Sequence, residues 1–143
     1  MFTATGLGLA GMAGLASSAQ AAPWTATEQA NVQVVNDFCA AWPSHDLNKI
    51  MSFFADNGSY RMSEAQEPNK GRPAVMNRIG SFLASVQRFE VIETLAKGPM
   101  VFNERRDHFQ GGPLKMWHGV GVFFLKDGKI VEWQDFTISM DRA

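Results

Sequence analysis

The order of the periodic segments constrains the fold of this chain more than any other feature. Apolar residues recur at helical spacing in three segments of the first half, and the second half changes to strand-like segments. Asp127-Gly128 is a typical hairpin sequence between the last two of them. Helices followed by a run of strands favour an α+β domain with an antiparallel sheet over an alternating βαβ fold. The strand candidates are 59–62, 89–95, 100–109, 114–125 and 129–140.

Start and stop signals place the three predicted helices. Thr25 and Glu28 form a capping box at the start of the first helix. Asp46 can cap the second helix. Pro73 suits the first turn of the third helix, whose apolar stripe is expected to continue to Val86. The polar stretch between the short strand candidate and the third helix is expected to be an irregular loop.

A segment without charge precedes the predicted domain. The first charged residue of the 143 is Glu28, and residues 1–23 end near an Ala-x-Ala pattern. We interpret 1–23 as a signal-like or disordered segment and 24–143 as a single α+β domain. Because 1–5 lack the basic residues of a signal, we expect upstream residues to supply a twin-arginine signal for export to the periplasm or the medium; otherwise the protein is cytoplasmic. The apolar run at 7–15 is too short to span a membrane.

Composition argues against several classes of function. The net charge is −1 and no basic block occurs, so we expect no nucleic-acid partner. Cys39 is the only cysteine, which excludes an intramolecular disulfide, and its place on an apolar helical face indicates a buried side chain. His45, His108 and His118 are too scattered for a metal site, so we expect no metal.

The strongest candidate for a functional site consists of charged residues on two predicted strands. Side chains alternate along a strand, so Arg105 and Asp107 point the same way, together with Phe109. Asp135 follows Trp133 by two residues on the last strand. If the two faces line one apolar cavity, one carboxyl can be protonated while the other is ionised, as acid–base catalysis at neutral pH requires. The alternative is an ordinary structural ion pair.

Four local motifs are informative when they are taken together. They are Asp46-Leu47-Asn48, Phe53-Phe54-Ala55-Asp56, Gly71-Arg72-Pro73-Ala74-Val75 and Gly119-Val120-Gly121-Val122-Phe123. This set resembles the superfamily that contains ketosteroid isomerases, scytalone dehydratase, polyketide cyclases and the nuclear transport factor 2 proteins. The resemblance implies three N-terminal helices packed on a curved antiparallel sheet, which forms a cone with an internal apolar pocket. It also implies a homodimer.

Two further segments narrow the resemblance. They are Glu104-Arg105-Arg106-Asp107 and the stretch 127–136, which contains Trp133-Gln134-Asp135-Phe136. Together they resemble limonene-1,2-epoxide hydrolase, over roughly 32–136 of this chain. The resemblance implies that Asp107 is the general acid, that Asp135 is the base that activates water, and that Arg105 bridges them. It implies one-step hydrolysis of an epoxide to a vicinal diol, without a covalent intermediate, a metal or an organic cofactor.

The same resemblance assigns a water site, and we expect a substrate pocket beside it. In the family, a Tyr and an Asn two residues later hold the attacking water. Tyr60 stands at the first position, but Met62 stands at the second, and a thioether cannot orient water as an amide does. We expect Met62, Phe109 and Trp133 to contact a small apolar epoxide of terpenoid or aryl type.

Two other functions stay open at this point. An isomerase or a polyketide-cyclase-like enzyme would use an Asp base beside a carbonyl, and it would need no bound water, which suits Met62. A non-catalytic module would hold an apolar ligand in the cone.

Overall fold

The computed structural model of the protein describes residues 22–143. The predicted signal-like segment therefore lies outside the described residues, except for its last two positions. Within 22–143, no helix is both long enough and apolar enough to cross a membrane.

Three α-helices come first, as predicted. Helix α1 (Ala26–Ala41) begins with the expected capping box, in which the Thr25 side chain and the Glu28 side chain each bond the other's backbone N–H. Helix α2 (Leu47–Met51) is capped by Asp46, which accepts from the backbone N–H of Lys49. Helix α3 (Arg72–Gly80) has a proline in its first turn.

The predicted C-terminal limit of the third helix was wrong. Helix α3 ends at Gly80, and Leu83–Ser85 form a single 3₁₀ turn before Val86 begins a strand. Leu83 and Val86 are nevertheless buried. Their apolar spacing reflected burial in the core, which a 3₁₀ turn and a strand satisfy as well as a helix does.

Six strands form one curved, unclosed sheet in the order β2-β1-β6-β5-β4-β3. The expected α+β fold is confirmed, but the sheet is mixed rather than antiparallel, because β1 runs parallel to β6. Strand β1 also begins earlier than predicted, and the short β2 lies where a loop was expected. The strands are β1 (Phe54–Arg61), β2 (Asn69–Lys70), β3 (Val86–Lys97), β4 (Met100–Phe109), β5 (Leu114–Lys126) and β6 (Lys129–Arg142).

The concave face of the sheet packs against α1 through aromatic side chains. Phe38 of α1 lies at the centre of this core, with its ring edge-on to those of Trp42, Phe123 and Trp133 at centroid distances of 5.7, 5.8 and 5.1 Å. Cys39 is buried beside it, as predicted. This aromatic layer forms the centre of the hydrophobic core.

Candidate active site

The three predicted charged residues meet on the concave face of the sheet. Arg105 and Asp107 lie on β4, and Asp135 lies two strands away on β6. Arg105 Nε donates to Asp107 Oδ1 at 2.9 Å, and Arg105 Nη2 donates to Asp135 Oδ1 at 2.9 Å. Their exposed fractions are 0% for Arg105, 5% for Asp107 and 4% for Asp135. One buried guanidinium therefore bridges two buried carboxyl groups.

The intervening strand β5 leaves room for this bridge because it has no side chain at Gly121. Gly121 pairs with Asp135 on one side and with Asn103 on the other. A Cβ atom on Gly121 would lie under 3.0 Å from Arg105 Nη1 and 3.2 Å from Asp135 Oδ1. Glycine inside a strand is costly by itself and often marks the close approach of another group. Here that group is the arginine side chain that crosses from β4 to β6.

Aromatic rings surround the Arg105 guanidinium. Its central carbon lies 4.8 Å from the ring centroid of Phe89, 5.0 Å from that of Trp117 and 5.4 Å from that of Trp133. The negative faces of aromatic rings attract a cation, and the attraction grows when water is excluded. The rings therefore offset part of the cost of burying a charge, and they fix the direction of the guanidinium.

The two carboxyl groups have unequal surroundings. Asp135 accepts three hydrogen bonds, from Arg105, from Trp133 Nε1 at 2.8 Å and from Tyr60 Oη at 3.2 Å. Asp107 accepts one, from Arg105. Hydrogen bonds to a carboxylate favour its ionised form. The arrangement therefore favours an ionised Asp135 and a protonated Asp107.

Burial acts on both acids in the same direction. It raises the pKa of Asp107 to about 7, and Arg105 opposes this rise. Burial also raises the pKa of Asp135, against the opposing effects of Arg105, Trp133 and Tyr60. One positive and one negative charge leave the buried group neutral overall, which avoids the penalty of an unpaired buried ion. The state with Asp107 protonated and Asp135 ionised is thus favoured up to about pH 7.

The other two polar groups keep their protons. Burial by itself would lower the pKa of Arg105, but the neighbouring Asp107 and Asp135 outweigh it and raise the pKa. Burial raises the pKa of Tyr60 well above its usual value, and the Asp135 carboxylate adds to the rise. Arg105 therefore remains a cation, and Tyr60 remains a phenol that donates to Asp135.

A small cavity of about 50 Å³ opens beside the charged group. Its polar wall consists of Tyr60, Asp107 and Asp135. The rest of the wall is apolar. Phe82 lies in the segment after α3, and the other apolar residues lie on strands or next to them. These apolar residues are Met62, Phe82, Phe89, Phe109, Leu114 and Trp117. The arrangement can donate one proton and accept another beside a mainly apolar cavity.

The sequence between residues 35 and 133 matches the SnoaL-like domain family. The chain belongs to this family. The match spans α1 to β6, and so it includes Tyr60, Arg105 and Asp107. The expected superfamily of cone-shaped α+β proteins is thereby confirmed.

Solved structures agree with this SnoaL-like fold at low sequence identity. An LEH-like epoxide hydrolase of M. tuberculosis is 22% identical, with a TM-score of 0.69 over 78% of this chain and 85% of that one. SalBIII, an epoxide hydrolase/cyclase-like enzyme of pyran ring formation in salinomycin, is 20% identical, with a TM-score of 0.72 over 78% and 92%. A Kribbella flavida protein provisionally named a ketosteroid isomerase is 14% identical, with a TM-score of 0.67 over 78% and 80%. These likenesses show a shared fold.

The SnoaL-like domain places the other predicted site residues in two layers. Met62 and Phe109 border the cavity, and their contact with a substrate stays a prediction. Trp133 is fully buried behind it, stacked on the Tyr60 ring at 3.8 Å, and it does not border the cavity. Its contact with substrate stays a prediction, while its observed contact is the hydrogen bond to Asp135.

The sequence interpretation missed several residues of this SnoaL-like site. Phe89 and Trp117 flank Arg105 and border the cavity, and Gly121 lets Arg105 cross β5. Two glycines alternating with apolar residues in a long strand were a usable signal for a crossing side chain. His118 and His108 lie on the outer face of the sheet, paired with Glu104 and Glu90, and the described residues contain no cluster suited to a metal ion.

Proposed function

We propose that this protein is a cofactor-independent epoxide hydrolase that converts a small apolar epoxide to a vicinal diol. The observation that carries the proposal is the pair of unequal carboxyl groups, Asp107 and Asp135, which share Arg105 and open into one apolar cavity. Opening an epoxide with water needs a proton for the ring oxygen and a base for the water at the same moment. The structural neighbours named as epoxide hydrolases support this choice of reaction.

The mechanism assigns one proton transfer to each carboxyl group. Asp107 donates its proton to the epoxide oxygen as the carbon–oxygen bond breaks. Asp135 takes a proton from a water molecule as that water forms the new carbon–oxygen bond. Each transfer contributes about 10²- to 10⁴-fold to the rate in typical enzymes. Because one proton leaves Asp107 and one arrives at Asp135, the net charge of the buried group is the same before and after the step. A proton returning from Asp135 to Asp107 then restores the enzyme.

The attacking water has two polar contacts in this proposal. Tyr60 Oη and Asp135 Oδ2 lie together at 3.2 Å and border the cavity, whereas Met62 supplies only a weak acceptor. A water in a protein site generally has two to four polar partners. We therefore place the water beside Tyr60 and Asp135, where it has two polar partners, the lower limit of that range.

The direct test is a single turnover in water that carries a heavy oxygen isotope, with the enzyme in excess over a terminal epoxide. One-step attack puts the heavy oxygen into the diol in the first turnover. A covalent ester on an Asp would instead deliver an unlabelled carboxylate oxygen first. Asp107→Asn and Asp135→Asn should each lower kcat by about 10²-fold or more. Glu104→Gln is the matched control, since this carboxylate neighbours Arg105 in sequence but lies on the outer face with 37% of its side chain exposed.

A second candidate function follows from Met62. An isomerase or polyketide-cyclase-like enzyme could use the same Asp base without a bound water. If the substrate's own hydroxyl opened the epoxide, the reaction would use Asp107 as the acid and Asp135 as the base. An epoxy alcohol substrate separates the reactions. Hydrolysis yields a triol and adds the mass of water, whereas cyclisation leaves the mass unchanged. Binding of an apolar ligand without any product, unaffected by Asp107→Asn, would instead support a non-catalytic module.

We also propose a homodimer that forms through the outer face of the sheet. Phe102 and Phe136 are 38% and 37% exposed there. Val120 lies in register with Phe136, and Val122 with Phe102, on the strand between them. Exposed apolar patches of this kind mark interaction surfaces. Light scattering should report twice the chain mass for the wild type and the single-chain mass for Phe102→Glu.

A further inference from the structure

The cavity beside Asp107 is small for the substrates that the family resemblance implies. Its volume is about 50 Å³. One water occupies roughly 30 Å³ of liquid, and pockets for drug-sized ligands measure about 300–1,000 Å³. The cavity is therefore tight for an epoxide substrate, and the substrate range depends on which of its walls can move.

Trp117 forms a wall that two interactions hold in place. Its indole Nε1 donates to Thr137 Oγ1 at 3.0 Å. Its ring covers the Arg105 guanidinium at 5.0 Å. Only 8% of the residue is exposed. Moving the indole would break the hydrogen bond and uncover the buried cation.

Gly119 provides the space that the Trp117 indole occupies. A Cβ atom on Gly119 would lie under 3.0 Å from Cζ2 and Cη2 of Trp117, and also from the backbone oxygen of Phe136. The six-membered part of the indole thus lies over the backbone of its own strand, in the place of a side chain at 119. Trp117 therefore fills the space left by Gly119 and is held there by its hydrogen bond to Thr137.

Another part of the cavity wall is adaptable. Met62, Phe109 and Leu114 border the cavity and are only partly buried. Methionine is unbranched and has three rotatable bonds, so it can move aside at little cost. Movement of these residues would widen the cavity without moving Trp117, which lies in register with Asp107 on the neighbouring strand.

We infer that Trp117, seated over Gly119 and tethered to Thr137, sets the width of the substrate, so that the site takes slender aliphatic epoxides in preference to ring-bearing terpene or aryl epoxides. This inference rests on the proposed epoxide hydrolysis. It narrows the substrate class that the family resemblance implies, because a ring next to the epoxide would collide with the indole.

The test compares kcat/KM for slender epoxides (propylene oxide and butene oxide) with that for ring-bearing epoxides (styrene oxide and limonene oxide). The wild type should favour the slender class. Trp117→Leu should raise the ring-bearing to slender ratio by about 10-fold or more, since even one methylene group in an apolar pocket changes selectivity by about 10- to 200-fold. The ratio, rather than the rate, is the readout, because losing the indole also disturbs Arg105 and lowers turnover of both classes.

Two pairs of variants separate this role from general damage to the fold. Thr137→Val removes the acceptor of the indole N–H and should raise the ratio, whereas Thr137→Ser keeps a hydroxyl and should leave it unchanged. Phe123→Leu truncates another buried aromatic residue of β5 that does not border the cavity, and it should also leave the ratio unchanged. The inference is overturned if the wild type prefers ring-bearing epoxides, or if Phe123→Leu shifts the ratio as much as Trp117→Leu does.

Ligand binding keeps the inference testable if no epoxide is hydrolysed. The probes are then the unreactive alcohols butanol and phenylethanol, and the readout is the rise in melting temperature that a saturating ligand produces. If phenylethanol raises the melting temperature of Trp117→Leu more than that of the wild type, the size limit is supported even though the proposed hydrolysis is not. Equal stabilisation of the two proteins by phenylethanol would overturn the size limit as well.

Discussion

Replacing Gly121 with alanine would add one methyl group directly against the buried bridge between the two acids. The new Cβ atom would lie under 3.0 Å from Arg105 Nη1 and 2.7 Å from Phe123 Cε2. Arg105 cannot easily move away, because carboxyl oxygens lie 2.9 Å from two of its nitrogens and aromatic rings surround it. Either β5 shifts, or Arg105 gives up one of its carboxyl partners.

Both responses destabilise the protein, by different amounts. Overpacking that shifts the backbone generally costs about 1–3 kcal/mol. Breaking one side of a buried ion pair costs about 3–5 kcal/mol. We therefore expect Gly121→Ala to lower the free energy of unfolding by about 2–4 kcal/mol, or the melting temperature by roughly 8–16 °C for a domain of this size. Loss of hydrolysis should accompany it, since Arg105 positions both acids.

Urea unfolding followed by tryptophan fluorescence measures the first effect, and diol formation measures the second. Gly112→Ala is the matched control, because a Cβ atom at that position has no neighbour within 4 Å and should change neither quantity. A Gly121→Ala protein with wild-type stability and activity would refute the argument. It would mean that Arg105 does not cross β5 at this glycine.

Three further predictions concern protons and water. Because Asp107 must be protonated to act as the acid, kcat/KM should fall above about pH 7, where its pKa lies; a profile that stays level to about pH 9 would contradict this assignment. Folding raises the pKa of Asp107 from 3.8 to about 7, so the stability that its protonated form supplies is complete below about pH 4 and is lost as the pH rises to about 7. Urea titrations should show this loss, of roughly 2–4 kcal/mol, in the wild type and not in Asp107→Asn, and equal slopes in the two proteins would count against it. Met62→Asn should raise the rate of epoxide hydrolysis roughly 3- to 10-fold by adding one hydrogen bond to the attacking water. Met62→Leu is the control. An unchanged or lower rate in Met62→Asn would argue against the water site beside Tyr60.

Local patterns in the sequence predicted much of the fold. The capping box at Thr25, the cap at Asp46 and the hairpin at Asp127-Gly128 each depend on a few adjacent residues, and the structure contains all three. The pairing of strands that are distant in the sequence was harder to predict. The parallel contact of β1 with β6 joins segments about 75 residues apart, and the short β2 exists only because β1 presents an edge to it. Neither leaves a periodic signal in its own residues.

The candidate site shows the same division. Side-chain alternation along a strand is a local property, so the sequence alone placed Arg105 with Asp107 and Asp135 with Trp133. Whether these pairs meet depends on strand order and register, because a shift of one residue would turn every side chain to the other face. The structure decided that Gly121 lies between them, and that Arg105 therefore reaches Asp135.

The sequence by itself determined the fold class, the capped helices and the residues able to carry acid–base chemistry, since each depends on neighbours within a few positions. Only the tertiary structure decided how the surroundings of Asp107 and Asp135 differ. Asp135 receives hydrogen bonds from Trp133 on its own strand and from Tyr60 on the parallel strand β1, whereas Asp107 receives one from Arg105 alone. The pKa of a carboxyl group depends on which donors and how much water surround it, and those surroundings come from residues far apart in the chain.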